Sequence, residues 1–276
     1  MCTINCKGKL LTFDQPLVMG IINATPDSFY RGDLTTGLEA MVELAGEMMV
    51  AGATILDIGG QSTRPGSNRI SASAEIVRVI PLMDAIHSTY PELVLSIDTY
   101  HSEVALAAVK AGASIVNDIS AGSMDPEMID CVASLKVPYI CMHMKGTPQS
   151  MQTNPTYEDP VKELLDFFID KIDQCEKAGI LDIIIDPGFG FGKTTEQNFS
   201  LLKQLSIFKM LDKPILAGLS RKSMVYKTLG IDAADSLNGS SVLNTIALLQ
   251  GASILRVHDV KEAKQVVSIF TAFDKA

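Results

Sequence analysis

A closed (β/α)8 barrel, the TIM-type α/β fold, is the architecture this chain predicts, and three observations carry it. One phrase recurs along the sequence: Ala51-Gly52-Ala53-Thr54-Ile55-Leu56-Asp57, Ala111-Gly112-Ala113-Ser114-Ile115-Val116-Asn117, Ala178-Gly179-Ile180-Leu181-Asp182-Ile183 and Gly251-Ala252-Ser253-Ile254-Leu255-Arg256. Each reads as a helix closing on glycine, a short turn and a buried strand. Strand-like and helical stretches alternate from residue 17 onward, with no break in composition across 276 residues. That predicts a single domain over residues 1–276, near the ~250 residues typical of one such barrel. The alternative is an open doubly wound sheet, which usually has fewer strands.

The elements follow in order. Alternating polar and apolar residues before Leu17 predict a short hairpin across the barrel floor, and Leu17-Val18-Met19-Gly20-Ile21-Ile22 is a buried strand ending at Asn23. A polar loop over 24–34 leads to a helix whose Leu38, Met41, Val42, Ala45, Met48 and Met49 recur at helical spacing, core filling rather than a cofactor site, before the stop at Gly52. Besides the strands of the recurring phrase, strands are expected at Leu93–Ile97, Val137–Met142 and Pro214–Gly218. Helices are expected at about 72–89, 101–111, 125–135, 160–178, 196–208, 236–250 and 260–273, the last opened by an Asp259-x-x-Glu262 cap.

Composition narrows the function. The balance of 23 basic and 32 acidic residues gives a net charge of −9, so no overall attraction to nucleic acid is expected and an anionic ligand needs a local positive cluster. The five cysteines are odd in number and scattered, which points to a reducing compartment. Apolar runs fall far short of the ~20 residues that span a bilayer, and no signal peptide is evident, so a cytoplasmic enzyme without membrane attachment is expected.

Chemistry concentrates at the predicted strand ends. Ile183-Ile184-Ile185-Asp186 followed by Pro187-Gly188-Phe189-Gly190-Phe191-Gly192-Lys193 describes a buried strand delivering one carboxylate to a glycine-rich loop. A strand cap followed by a turn is an equally good reading of that stretch alone. Asn23, Asp57, Asp98, Asn117 with Asp118, Met142 with His143, Asp186, Ser220-Arg221-Lys222 and Arg256 with His258 close other strands, and in a barrel all would face one mouth. They divide into an acidic or neutral set (Asp98, Asn117, Asp186) suited to the N–H edge of an aminopyrimidine-like ring, and a positive set (Arg64, Arg221, Lys222, Arg256, His258) suited to a phosphate or diphosphate.

Eight motifs in order resemble the dihydropteroate synthase family: Met19-Gly20-Ile21-Ile22-Asn23 with Thr25-Pro26-Asp27-Ser28-Phe29, Ser62-Thr63-Arg64-Pro65-Gly66, Ser96-Ile97-Asp98-Thr99, Val116-Asn117-Asp118-Ile119, Met142-His143-Met144, the Asp186–Lys193 stretch, Gly218-Leu219-Ser220-Arg221-Lys222-Ser223 and Arg256-Val257-His258-Asp259. The resemblance implies condensation of 6-hydroxymethyl-7,8-dihydropterin diphosphate with 4-aminobenzoate, releasing diphosphate. It implies a pterin site of Asp98, Asn117, Met142, Asp186, Phe191 and Lys222, and a diphosphate site of Asn23, Arg64, Arg256 and His258, with Asn23 on a Mg2+ ion. It implies an aminobenzoate site of Phe29, Thr63, Arg64, Pro65 and Ser220, on two loops that close over the mouth, and a homodimeric state. Asp98, Asp186, Lys222, Arg256 and His258 would carry the catalysis. The sequence departs from the family at Gln61, where glutamate is usual, and at Arg31, where aspartate is common. A pterin-dependent methyltransferase is the rival enzyme reading, but it would need neither the Arg256 and His258 pair nor the Ser-Thr-Arg-Pro-Gly loop.

Overall fold

A computed structural model of the chain describes residues 3–24, 34–62 and 66–276. Within them, β1 (Thr3–Cys6) and β2 (Lys9–Thr12) pair as an antiparallel hairpin. The barrel strands are β3 (Leu17–Asn23), β4 (Ile55–Gly59), β5 (Val94–Asp98), β6 (Ile115–Asp118), β7 (Tyr139–Met142), β8 (Ile183–Asp186), β9 (Leu216–Ala217) and β10 (Ile254–Val257). All eight run parallel in the order β8-β7-β6-β5-β4-β3-β10-β9. A single parallel bridge between Ile185 and Ile215 joins β8 to the segment leading into β9.

The helices α1 (Leu34–Val50), α2 (Ala72–Thr89), α3 (Ser102–Lys110), α4 (Met128–Leu135), α5 (Pro160–Ala178), α6 (Thr195–Lys203), α7 (Ser223–Leu229), α8 (Leu237–Leu249) and α9 (Val260–Asp274) accompany the strands. Local chemistry explains their ends. In α5, the Asp159 carboxylate accepts from the N–H groups of Val161 and Lys162, Pro160 occupies the first turn, and Gly179 closes the helix at φ 95°. In α6, Thr194 and Gln197 form a reciprocal capping box, which fixes the chain directly after Lys193. The sequence reading missed α7, whose seven residues end on Gly230, and drew the helix after 196 too long. That stretch breaks at Gln204 and continues as a 3-10 helix over Leu205–Leu211.

The strand period of two divides the core. Val18, Ile22, Leu56, Ile58, Leu95, Ile97, Val116 and Ile185 pack outward against the helices. Leu17, Met19, Ile55, Val94, Ile115, Ile140, Ile184, Leu216 and Ile254 fill the lower interior together with Ile4 and Cys6 of the hairpin, which seals the floor as the sequence predicts. One residue pair higher, the same inward register carries Asp57, Ser96, Asn117, Met142, Asp186 and Arg256. The apolar plug thus lifts the polar residues towards the C-terminal mouth.

Candidate active site

The inward register delivers both signs of charge to one place. The Arg256 guanidinium donates through Nε to Asp57 Oδ2 at 2.7 Å and through Nη2 to Asp98 Oδ2 at 2.6 Å. Asn117 Nδ2 donates to the same Asp57 oxygen at 2.9 Å, which leaves the amide's carbonyl oxygen as its pocket-facing acceptor. Asp57 is fully buried, and the other oxygens of Asp57 and Asp98 are buried without a hydrogen-bond partner among the described residues. Burial and the neighbouring Asp57 push the Asp98 carboxyl up to about 7 against the pull of Arg256, while the two carboxylates hold Arg256 firmly charged despite its burial.

Across the barrel, Asp186 Oδ1 accepts the Gly188 N–H at 2.7 Å, and burial raises its pKa although that bond and Lys222 oppose the rise. The Lys222 ammonium lies 4.1 Å from the centre of the Phe191 ring. Its burial, with Arg256 nearby, lowers its pKa to about 8. Asn117, Met142, Asp186, Phe191, Lys222 and Arg256 line one pocket, joined by Ile119 and Phe189. Two apolar faces, the Asp186 carboxylate and two cations suit a flat, donor-rich ring attached to an anion.

Ser220 and His258 meet at the rim. Ser220 Oγ accepts from the His258 backbone N–H at 3.2 Å, so its own proton is free to point to Nδ1, 3.1 Å away. We assign Ser220 as the donor in that contact, with Nδ1 the acceptor and the ring proton on Nε2. Burial and the nearby Arg256 and Arg221 guanidinium groups lower the His258 pKa to about 4, so the ring is neutral at pH 7. Asn23 closes β3 opposite Gly59 with its side chain exposed. Phe29, Thr63, Arg64, Pro65 and the Arg31 departure lie outside the described residues.

A family model described as pterin binding enzyme matches residues 19–258. Dihydropteroate synthase of Escherichia coli K12 is 43% identical over 96% of this chain and 94% of its own length. The chain belongs to the dihydropteroate synthase family. The Yersinia pestis dihydropteroate synthase solved as a sulfonamide drug complex superposes with a TM-score of 0.94 at 39% identity over the whole of both chains. The Xanthomonas albilineans dihydropteroate synthase solved with 4-aminobenzoic acid gives 0.93 at 40% identity, covering 99% of this chain and 98% of that one. As a dihydropteroate synthase family member, the chain is a transferase of folate synthesis.

Several side chains depart from the sequence reading of this dihydropteroate synthase fold. Asp118 and His143 do not face the mouth. Asp118 accepts from Ser120 N–H and Oγ, Gly122 N–H and the Tyr139 hydroxyl, and His143 packs edge-on against Phe167 at 4.8 Å. Each neighbours an inward residue, and the period of two turns it away. Arg221 is engaged through Nε and Nη2 in a two-pronged bond to Asp259 at 3.0 and 2.5 Å. Lys193 received no role from its position in the motif, yet its buried ammonium bonds His143 Nδ1 and the carbonyls of His143, Gly188 and Phe191 at 3.0–3.3 Å. Gln61 is engaged as well: its Nε2 donates to the Tyr100 hydroxyl and its Oε1 accepts the Ile70 N–H at 3.0 Å.

Proposed function

We propose that residues 1–276 act as one pterin-binding barrel domain that joins 6-hydroxymethyl-7,8-dihydropterin diphosphate to 4-aminobenzoate through a pterin cation. The observation that carries this reading is one pocket lined by the Asp186 carboxylate and Asn117 beside the cations Lys222 and Arg256, with the Asp98 carboxylate held behind Arg256. The Asp186 and Asn117 acceptors take the N–H groups of the pterin, with Met142 and Phe191 along its faces. The C–O bond to diphosphate breaks with its electron pair on the leaving group, and the buried carboxylates stabilise the cation left on the methylene carbon. Arg256 Nη1, unbonded among the described residues, and the His258 Nε2–H donate to the diphosphate together with Arg64. The amine of 4-aminobenzoate adds its lone pair to the cation and then gives up a proton. Phe29, Thr63, Arg64, Pro65 and Ser220 position it, and a neutral aniline needs no general base.

Mg2+ fits the donors at the mouth. No group of three or more His, Cys, Asp or Glu side chains is gathered to hold an ion among the described residues. Mg2+ is commonly held by one or two protein oxygens with substrate phosphates and water, and the Asn23 amide oxygen at the rim is such a donor. When bound, the ion supplies neutralisation of the leaving group's charge. We assign the chain to the cytoplasm, consistent with the scattered cysteines and with no described helix long and apolar enough to cross a membrane. Exposed Leu237, Val242 and Leu249 on α8, with Ile269 and Phe273 on α9, support a homodimer, which light scattering tests.

A diphosphate-release assay with and without 4-aminobenzoate tests the reaction. Diphosphate and dihydropteroate appearing in equal amounts when both substrates are present is the expected result. No release with both substrates and Mg2+ present overturns the assignment.

A further inference from the structure

The excursion between β7 and α5 touches both halves of the site. Its turn at 147–153 is internally bonded: Thr147 O accepts the N–H groups of Ser150 and Met151 at 2.9 and 2.7 Å, and Ser150 Oγ accepts the Thr147 N–H at 3.1 Å. On one side, Gln152 Nε2 donates to Gly190 O at 2.8 Å. Gly190 lies between pocket-lining Phe189 and Phe191, and its N–H is held by Asn198 Oδ1 at 2.7 Å. On the other side, Gln149 Nε2 donates to Ser67 O and the Gly66 N–H donates to Pro148 O, each at 3.0 Å. Gly66 and Ser67 belong to the loop that follows β4.

The turn is also plugged into the pocket wall. Met151 is 3% exposed and packs in one cluster with Ile119, Met142 and Phe191, which line the pocket, and with Tyr100. Tyr100 takes the Gln61 bond at the base of the same β4 loop, whose far end, Ile70, bonds Gln61 in turn. A ligand that shifts Phe191 or the Gly190 peptide therefore moves a compact turn that holds the β4 loop at Gly66 and Ser67. Packed turns of this kind shift between discrete arrangements rather than deform continuously.

We propose that the 147–153 turn couples the two substrate sites, with Gln152 reading the glycine loop on the pterin side and Gln149 setting the β4 loop on the aminobenzoate side. Both are positioning residues and neither touches substrate. The inference rests on the assignment of those two sites made above. An occupied pterin pocket fixes the turn, and the turn fixes Gly66 and Ser67 of the loop on the aminobenzoate side. Coupling of this kind is reciprocal, so 4-aminobenzoate tightens the pterin by the same factor.

The test is calorimetry on the whole chain and on Gln149→Ala, Gln152→Ala and the double variant. 4-Aminobenzoate is titrated with and without oxidised 6-hydroxymethylpterin, inorganic diphosphate and Mg2+, a set that cannot react. Two hydrogen bonds of ordinary net strength are together worth about thirtyfold. The expected result is that the double variant loses about that much of the tightening of 4-aminobenzoate, while hydroxymethylpterin alone binds within about twofold of the parent and the melting temperature holds. Tightening that survives in the double variant overturns the proposal. So does an equal loss of hydroxymethylpterin affinity, which would make the turn a plain pocket wall. A parent that releases diphosphate from the true substrates yet shows no tightening defeats the coupling alone, whereas a parent that releases none defeats the reaction assignment beneath it.

Discussion

Replacing Arg256 by alanine removes the cation that holds Asp57 and Asp98 together inside the barrel. In the parent its Nε and Nη2 bond the two carboxylates at 2.7 and 2.6 Å, and Asp57 is fully buried. The variant leaves Asp57 and Asp98 facing each other in a low dielectric without their shared cation, and losing one partner of a buried pair costs about 3–5 kcal/mol. That is a large share of the roughly 5–15 kcal/mol that holds a domain folded. At ~2–4 °C per kcal/mol for a chain of this class, the melting temperature should fall by roughly 6–20 °C.

The pH dependence distinguishes this cause from simple loss of packing. Burial and Asp57 raise the folded Asp98 pKa to about 7, against roughly 3.9 for an unfolded aspartate. Between those values the folded state keeps a proton that the unfolded chain has lost, so this group's contribution to stability declines as pH rises and levels off above 7. Without Arg256 the pull that limits the rise is gone, and the decline continues beyond pH 7. Urea denaturation at pH 6 and pH 9 should therefore show a larger deficit for Arg256→Ala at pH 9. Arg256→Lys keeps the charge but not the fork that reaches two carboxylates, so it should recover part of the loss. A deficit under about 1 kcal/mol, or one no larger at pH 9, would refute the argument that the buried pair governs stability here.

Other consequences are as direct. Asp186→Asn can keep the bond from Gly188 but turns an N–H towards the pocket, so calorimetry should show pterin binding weakened by about 1.5–3 kcal/mol, roughly tenfold to 150-fold; unchanged affinity would remove Asp186 from the site. Lys193→Met deprives three carbonyls and the His143 ring of their shared donor, and a lower urea midpoint with a loss of at least about 1–3 kcal/mol is expected. Burial lowers the folded Lys193 pKa to about 7, against roughly 10.4 when unfolded, so the parent gains stability from this group as pH rises from 7 to 10. The methionine variant should lack that slope. Gly188→Ala should disable pterin binding, because Gly188 sits at φ 67° and a Cβ there collides with the His143 carbonyl oxygen; an alanine variant with parental affinity would show that the loop can reseat.

The strand ends were legible in sequence because an apolar run that stops on Asp98, Asn117 or Asp186 states both the strand and its direction, and the barrel then gathers them. The partners of those residues were not legible. Asp57 meets Arg256 across 199 positions, and only closure of the ring through β3 and β10 makes them neighbours. Lys193 was opaque for another reason. No sequence signal marks a lysine that the carbonyls of its own loop surround. Asp118 and His143 show the limit of reading dipeptides, since adjacent polar residues on one strand must face opposite ways.

The hairpin across the floor makes the barrel a shaft with one opening. Ile4 and Cys6 pack with the apolar interior at the lower end, so among the described residues the way in is the polar mouth that Asn23 and His258 flank. Such a shaft works as a stack. On the site assignment proposed above, the pterin diphosphate belongs at the bottom, beside Asp186 and Met142, and is loaded before the 4-aminobenzoate that rests on it. An excess of the upper substrate loaded alone would stand in the way of the lower one, so turnover should slow at high 4-aminobenzoate when the pterin diphosphate is scarce and recover when it is abundant.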